Sequence, residues 1–388
     1  MQDSTAHIAI IGGGIMGSFC GFFLRHLGFR GRITIIERDP SYRYTATARS
    51  AASFRTQFSC KFNVAMSVFG AEFLKNTQTW LNRDSNIGLI KRGYLILHKQ
   101  AVNHTAIKAM HEAGAEIAIF PKKELQQRYP YLNIEDISHA TYGLKNEGWF
   151  DAWSLLQAVQ AKNRALDCQY RHENVKNVPA GSDGQALGVV LEESGLLEAD
   201  WVINAAGPES AAIHQNPKLT LPVSPQKRTV FSIRSPLNDP EFPMLIDTSG
   251  VWIRPEGQGH ICGIVPPPHR DPAAHGDYQP DYDLFEEYIW PALAQRIPQL
   301  ESLKMENAWA GHYEVNSLDH NGIVGPHPDI NNLYFATGFS GHGLQHAPAV
   351  GRGIAEHLLQ GAYQSIDLTP LGYQRIVRRE AIVERSVY

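Results

Sequence analysis

The chain has 388 residues, 43% hydrophobic and 19% charged, which provides apolar mass for one large domain or two interleaved ones and excludes a disordered chain. Its 35 basic and 39 acidic residues leave a net charge of −4, with no basic excess to neutralise a nucleic-acid backbone or an anionic membrane surface. The four cysteines, Cys20, Cys60, Cys168 and Cys262, form no close pair, which speaks against a metal site or a disulfide framework and for a reducing cytoplasm.

In chain order, His7 to Ile11 is a short apolar run ended by glycines, Met16 to Gly28 reads as a buried helix, and Arg32 to Glu37 is a second β-branched strand. The apolar run 8–24 is split by three consecutive glycines and lacks a basic n-region, so it is not a signal peptide. No other stretch reaches the ~20 uninterrupted apolar residues a membrane span needs. Helices follow at Asn63 to Asn82, Ala101 to Ala113, Lys122 to Tyr129 and Asp151 to Ala165, the last with Asp151 as its N-cap, and Gly88 to Leu97 reads as one or two strands around a glycine bend. Cys168 to Val175, Ala186 to Glu192 and Ala199 to Ala205 have the spacing of a small antiparallel meander. Gln226 to Ile233, Gly250 to Arg254 and Gly259 to Ile264 form a second strand-rich stretch, followed by a helix from Tyr282 to Ile297. Between them, the Pro- and Gly-rich loop 266–281 is placed to cover a site. Asn332 to Ala336 is a strand, GFSGHG at 338–343 a glycine turn, and Pro348 to about Gln360 a helix.

The strongest chemical signal is Gly12-Gly13-Gly14-Ile15-Met16-Gly17, a GxGxxG match between a strand and a helix, with Glu37 ending the next strand. Gly12 makes the turn, Gly14 lets backbone N–H groups approach a pyrophosphate, Gly17 lets helix pack on strand, and Glu37 accepts ribose hydroxyls and disfavours a 2′-phosphate even though Arg38 follows. By itself the motif leaves FAD and NAD open. His342 and His346 lie four apart, but no HExxH-like carboxylate accompanies them and no metal is expected.

TATARSAASFR at 45–55, NAAGP at 204–208, PQKRT at 225–229, WAG at 309–311 and GFSGHGLQHAPAVGRGIAE at 338–356 together resemble the D-amino-acid-oxidase superfamily of FAD oxidoreductases, in order over nearly the whole chain. That superfamily includes glycine and sarcosine oxidases, D-amino-acid dehydrogenases and FAD-dependent oxidoreductase domain proteins of mitochondrial complex I assembly. The resemblance implies an α/β fold: a Rossmann-type FAD-binding domain (1–90, 141–215, 306–388) with an interleaved α+β substrate domain built on an antiparallel sheet (91–140, 216–305). It implies FAD along Arg49, Ser50 and Ala51, with Arg55 close to the flavin, Val175 at adenine, Ala206 and Gly207 under the cofactor, and Gly311 in the WAG turn. Gly338, Gly341, His342, Gly343, Leu344 and Gln345 would close over the flavin, the following helix aiming its positive end at N1 and C2=O.

For substrate, the resemblance implies Trp252 in an aromatic position, Arg228 facing a carboxylate, and His312, Tyr313 and Gln345 in the pocket. Sarcosine oxidases carry a cysteine near the position of His312 for covalent flavin attachment and a lysine near that of Gln345 for the carboxylate. Neither is present here, so non-covalent FAD is expected. The implied reaction oxidises the C–N bond of an amino acid or secondary amine to an imine by hydride transfer to flavin N5, followed by hydrolysis, with O2 or a respiratory quinone as acceptor. The alternative is a flavin-bound assembly or binding protein of the same fold without amine turnover. Without an Arg-rich presequence at its start, the chain is expected in the cytoplasm.

Overall fold

A strand covered on both faces has no solvent side, and His7–Ile11 is buried at every position. It pairs in parallel with Arg32–Glu37 on one flank and Trp201–Asn204 on the other. The computed structural model describes residues 4–214 and 219–385. Among them these strands form a six-stranded sheet, in the order Ile323–Pro326, Leu333–Thr337, Trp201–Asn204, His7–Ile11, Arg32–Glu37, Cys168–His172, antiparallel only at its first pair. Alternation along the strand divides two cores: Ile8 and Ile10 pack with Phe19, Phe23 and Val350, whereas Ala9 and Ile11 pack with Val189, Leu191 and Ile213 on the other face.

A second, eight-stranded sheet runs Lys304–Asn316, Val223–Arg234, Gly259–Gly263, Trp252–Glu256, Met244–Ile246, Tyr94–His98, His139–Gly143, Ile117–Pro121. It is antiparallel except where Met244–Ile246 meets Tyr94–His98. Phe231, Ile253 and Leu95 of this sheet pack with Phe285 and Leu293 of the helical segment that follows the loop 266–281. The fold is thus an α/β Rossmann-type layer joined to an antiparallel sheet. The domain boundary expected between residues 215 and 216, like residues 1–3 and 386–388, lies outside the described residues.

Four expectations need correction. Cys168–His172 and Trp201–Asn204 do not belong to an antiparallel meander; they are separate parallel strands of the six-stranded sheet. Only Val175–Asn177, Gly188–Leu191 and Gly195–Glu198 make the antiparallel three-stranded sheet. Short apolar runs of either kind look alike in sequence, and what separates them here is their pairing, Cys168–His172 with Arg32–Glu37 and Trp201–Asn204 with His7–Ile11. The residues WAG at 309–311 form no turn. They lie inside the 13-residue strand Lys304–Asn316, paired along its length with Val223–Arg234.

The final helix spans Gly343–Gln360 and runs through Pro348, which the sequence reading took as its start. Proline costs a helical hydrogen bond there, and the burial of Gln345, His346, Ala347 and Pro348 offsets it. The long helix expected from Asn63 to Asn82 is divided at Asn76 into Lys61–Lys75 and Thr77–Trp80. Asp151 caps Ala152–Ala165 as expected, its carboxylate accepting from the N–H groups of Trp153 and Ser154.

The helix Gly343–Gln360 crosses the helix Ile15–His26 so closely that a Cβ on Gly351 would lie 2.6 Å from the backbone carbonyl of Phe19. Helix propensity alone favours Gly351→Ala by about 1 kcal/mol. The clash reverses the sign: Gly351→Ala is expected to destabilise the protein by roughly 1–3 kcal/mol in equilibrium urea unfolding.

Candidate functional site

The site begins where the first strand ends. Gly12 adopts φ +98°, and a Cβ on it would lie 2.3 Å from the Ala205 carbonyl oxygen; a Cβ on Gly17 would lie 2.0 Å from the carbonyl oxygen of Gly12 itself. Turn, helix and neighbouring strand therefore pack backbone on backbone. The helix Ile15–His26 has no acidic residue in its first turn and no side-chain cap at Gly14. Thr47, from the segment 45–55, supplies the missing acceptor: its Oγ1 accepts the N–H of Ile15 at 3.1 Å. The remaining positive end of the helix opens onto a cavity lined by Gly12, Gly14, Ile15 and Met16.

Glu37 stands at the end of the adjacent strand. Its two oxygens accept the N–H groups of Gly13 at 2.9 Å and Asp39 at 3.0 Å. Burial raises its pKa above the usual carboxylate range, against the opposing pull of those two N–H groups. Each oxygen keeps a free lone pair towards the cavity. Arg38 lines the same cavity with its guanidinium 3.7 Å from Glu209.

The cavity, about 480 Å³, is bounded by Glu37, Arg38 and Val175 and also by Ser50, Ala206, Gly207, His312, Tyr313, Gly341, Gly343 and Leu344, residues spread over more than 300 positions of chain. Gly341 has φ +97°, and a Cβ on it would lie 2.3 Å from the Tyr313 ring. The 18-residue helix Gly343–Gln360 starts here, again with no side-chain cap and no acid in its first turn. Two helix N-termini thus open onto one cavity.

A smaller pocket of about 30 Å³ adjoins it and shares Ala46, Ser50, His312 and Tyr313. Arg49, Ala51, Arg228, Trp252 and Gly311 line this pocket. Arg228 is bound bidentately by Asp271 of the loop 266–281, at 2.7 and 3.0 Å, and lies over the Tyr313 ring. Arg49 donates to the carbonyls of Arg43 and Ala310, and its guanidinium lies 4.8 and 5.1 Å from the ring centres of Tyr44 and Tyr278, which touch each other. His312 stacks on Tyr278 at 4.2 Å and hydrogen-bonds the Asp277 carbonyl at 2.6 Å; burial holds its pKa below the usual histidine value. Burial raises the Tyr313 hydroxyl, against Arg228 and Arg55.

Five sequence-derived residues line neither cavity. Gly17 and Gly338 serve the backbone geometry of their turns. Gln345 is buried, its Oε1 accepting the Arg55 N–H at 2.7 Å and its Nε2 donating to Ser67 Oγ at 3.0 Å. Arg55 donates to the Gln57 carbonyl and stacks on Phe58, 3.9 Å from the ring centre. His342 packs edge-on against Phe58, and burial keeps it and His346 neutral, His346 down to about 3. Among the described residues no cluster of His, Cys, Asp and Glu could hold a metal ion, and no helix is long and apolar enough to cross a membrane.

Sequence reasoning missed Thr47, Tyr278 and Glu314. Thr47 sits within a quoted segment, yet its capping role depends on a helix 32 residues earlier. Tyr278 lies in the loop expected to cover a site. Glu314 gives no sequence signal apart from its neighbours.

Backbone donors at two helix ends, an acid at the ribose position and glycines where side chains would intrude suit a long, doubly charged dinucleotide. The chain's comparisons agree. Residues 7–357 match the family model described as DAO, FAD dependent oxidoreductase. The chain is 36% identical to FAD-dependent oxidoreductase domain-containing protein 1 of Xenopus laevis, over 100% of this chain and 86% of that protein. It is 23% identical to mitochondrial sarcosine dehydrogenase of Mus musculus, over 92% of this chain and 40% of that protein. Its fold is similar to that of L-proline dehydrogenase from P. horikoshii, with a TM-score of 0.83 and 24% identity, covering 98% of this chain and 100% of that one. The molecule is a flavoprotein of the oxidoreductase class. It belongs to the DAO family of FAD-dependent oxidoreductases, and FAD is its cofactor.

Gly14→Ala separates cofactor binding from folding. Its Cβ would meet only Thr47 Oγ1, at 3.4 Å, so stability is expected to change by no more than about 0.5 kcal/mol. The methyl group would occupy the approach to the diphosphate. Circular dichroism should be unchanged, while the ratio of flavin absorbance to protein falls.

Proposed function

We propose that the protein oxidises the C–N bond of an amino acid or secondary amine to an imine, which water then hydrolyses. The observation that carries this reading is the small pocket that opens onto the cofactor cavity through Ser50, His312 and Tyr313. Relatives are named for sarcosine, L-proline, dimethylglycine and glycine, all amines that carry a carboxylate. Bound FAD would supply the two-electron acceptor. Gly12, Gly14, Glu37 and Ser50 would hold its dinucleotide part, and Gly341, Gly343 and Leu344 would meet the ring. No cysteine lines either cavity, which supports a dissociable cofactor.

The chain's own residues would prepare the substrate. Trp252, Val230, Ile264 and Val265 exclude water from the small pocket, which favours the neutral amine over the ammonium ion. Tyr313, raised in pKa by burial, stays a neutral hydroxyl donor at the shared wall. Arg228 holds its charge on Asp271, so a substrate carboxylate reaches it only in exchange for that loop carboxylate.

Anaerobic mixing of the yellow protein with sarcosine, L-proline, other N-methyl amino acids and D-amino acids tests the proposal: at least one should bleach the flavin, and admitting air reports whether O2 reoxidises it. A flavin that no amine reduces would sink the proposal in favour of a non-catalytic flavin-binding role. For a carboxylate-bearing substrate, Arg228→Ala is expected to raise KM by roughly 10–100-fold, corresponding to the loss of one charge-assisted hydrogen bond of ~1.5–3 kcal/mol.

A further inference from the structure

Glu314 is a carboxylate that lines the cofactor cavity without a cationic partner. One oxygen accepts from Thr337 Oγ1 at 2.9 Å and from the Gly338 N–H at 3.0 Å, and the other would stand 3.2 Å from a Cβ on Gly343. Its donors are all neutral. Protein encloses the side chain except where it faces the cavity, beside Gly207, Gly341 and Gly343.

The charged and titratable groups of the surrounding elements leave Glu314 unpaired. On the adjacent strand, Lys227 is held by Asp277 at 2.6 Å and Arg228 by Asp271 at 2.7 Å. On the Gly207–Glu209 turn, Glu209 faces Arg38 at 3.7 Å. On its own strand His312 is lowered in pKa by burial and Tyr313 raised; on the glycine turn His342 is lowered; Tyr278, across the cavity, is raised. All four are neutral near pH 7. Desolvation pushes Glu314 itself up to about 7, despite the hydrogen bonds that favour its charge.

Bound FAD would bring a diphosphate with two negative charges into this cavity and would exclude solvent from the side of Glu314 that faces it. Both effects penalise the ionised carboxylate. We infer that Glu314 is a proton-linked residue of the cofactor site: ionised in the cofactor-free protein, it binds one proton from solution as FAD enters and is a neutral acid in the holoprotein. The Thr337 and Gly338 donors hold the side chain in place in both forms. FAD affinity is then full where the free protein already carries the proton and falls as pH rises through neutrality.

The sign follows from linkage. The bound state holds more protons than the free state, so the dissociation constant rises with pH, by up to about tenfold per pH unit above the free-state pKa. Flavin fluorescence on dilution of the holoprotein should show FAD release increasing on the order of tenfold between pH 7 and pH 8.5 in the wild type. Glu314→Gln retains an acceptor for Thr337 and Gly338 and should show little slope. Calorimetric titration of the wild-type apoprotein with FAD at pH 7.5, in phosphate and in Tris, should give heats that differ by the ionisation of about one proton.

A flat wild-type profile, equal heats in the two buffers, or an unchanged slope in Glu314→Gln would overturn the inference. So would proton uptake that Glu314→Gln retains and His312→Gln abolishes. The calorimetric arm uses wild-type protein alone, so equal heats overturn the inference even where the variant does not fold. None of these readouts depends on amine turnover.

Discussion

The approach of Gly12 to Ala205, with Gly17 packed on Gly12, is the constraint on which the rest of the molecule depends. Three backbone segments meet at distances that no Cβ could share, 2.3 Å at Gly12 and 2.0 Å at Gly17. That contact ends the central strand inside the sheet rather than beyond it, and starts the first helix directly over the crossover between neighbouring parallel strands. A side chain there would push the helix away from the sheet and fill the space a diphosphate needs. The same contact sends the polypeptide to Glu37 and Thr47, which answer the two N–H groups nearest the turn, those of Gly13 and Ile15. Cavity and fold are products of one steric fact.

The buried carboxylates around this centre show how differently a protein can accommodate the same charge. Glu147, at the junction of the two sheets, is enclosed by donors from Thr56, Gln57 and Tyr94, and its role is to hold the 53–57 segment against the second sheet. Glu37 has two N–H partners and retains acceptor capacity towards the cavity. Asp271 is matched bidentately by Arg228, which fastens the loop 266–281 to the small pocket. Glu314 has the Thr337 hydroxyl and the backbone N–H groups of Gly338 and Phe339, all neutral donors, and an open side towards the cavity. Number and charge of partners set how strongly each acid retains its ionised form.

Local patterns made the first 37 residues legible, because strand, glycine turn, helix and acid are all decided by neighbours in sequence. The cap at Asp151 was readable for the same reason. Trp201–Asn204 was misassigned because its partners are His7–Ile11 and Leu333–Thr337, distant segments whose pairing leaves no trace in an apolar tetrad. WAG at 309–311 was expected to be a turn only through the family resemblance, and the strand's pairing overrides it. Gly311 makes room for Arg49, whose Cβ would lie 2.9 Å from a Cβ there. Thr47 and Glu314 carry a role only through three-dimensional neighbours, Ile15 in one case and Gly338 in the other, so no local pattern marks them.

The strand Lys304–Asn316 explains why cofactor and substrate regions are joined so closely. Along most of its length it pairs with Val223–Arg234, the strand that carries Arg228. Its last residues, still paired with that strand, are tied to the glycine turn as well: the Glu314 carbonyl accepts the Ser340 N–H at 3.1 Å, and the Asn316 N–H donates to Ser340 Oγ at 3.0 Å. His312 and Tyr313 lie within the paired length just before that tie, and they form walls of both cavities. Because Gly341 has no side chain, the Tyr313 ring rests directly on the turn that begins the second cavity-facing helix. Any shift of the strand at the small pocket would therefore also move the turn at the large cavity. Coupling between the two regions requires no moving domain, only the stiffness of one continuous β-strand fixed at both ends.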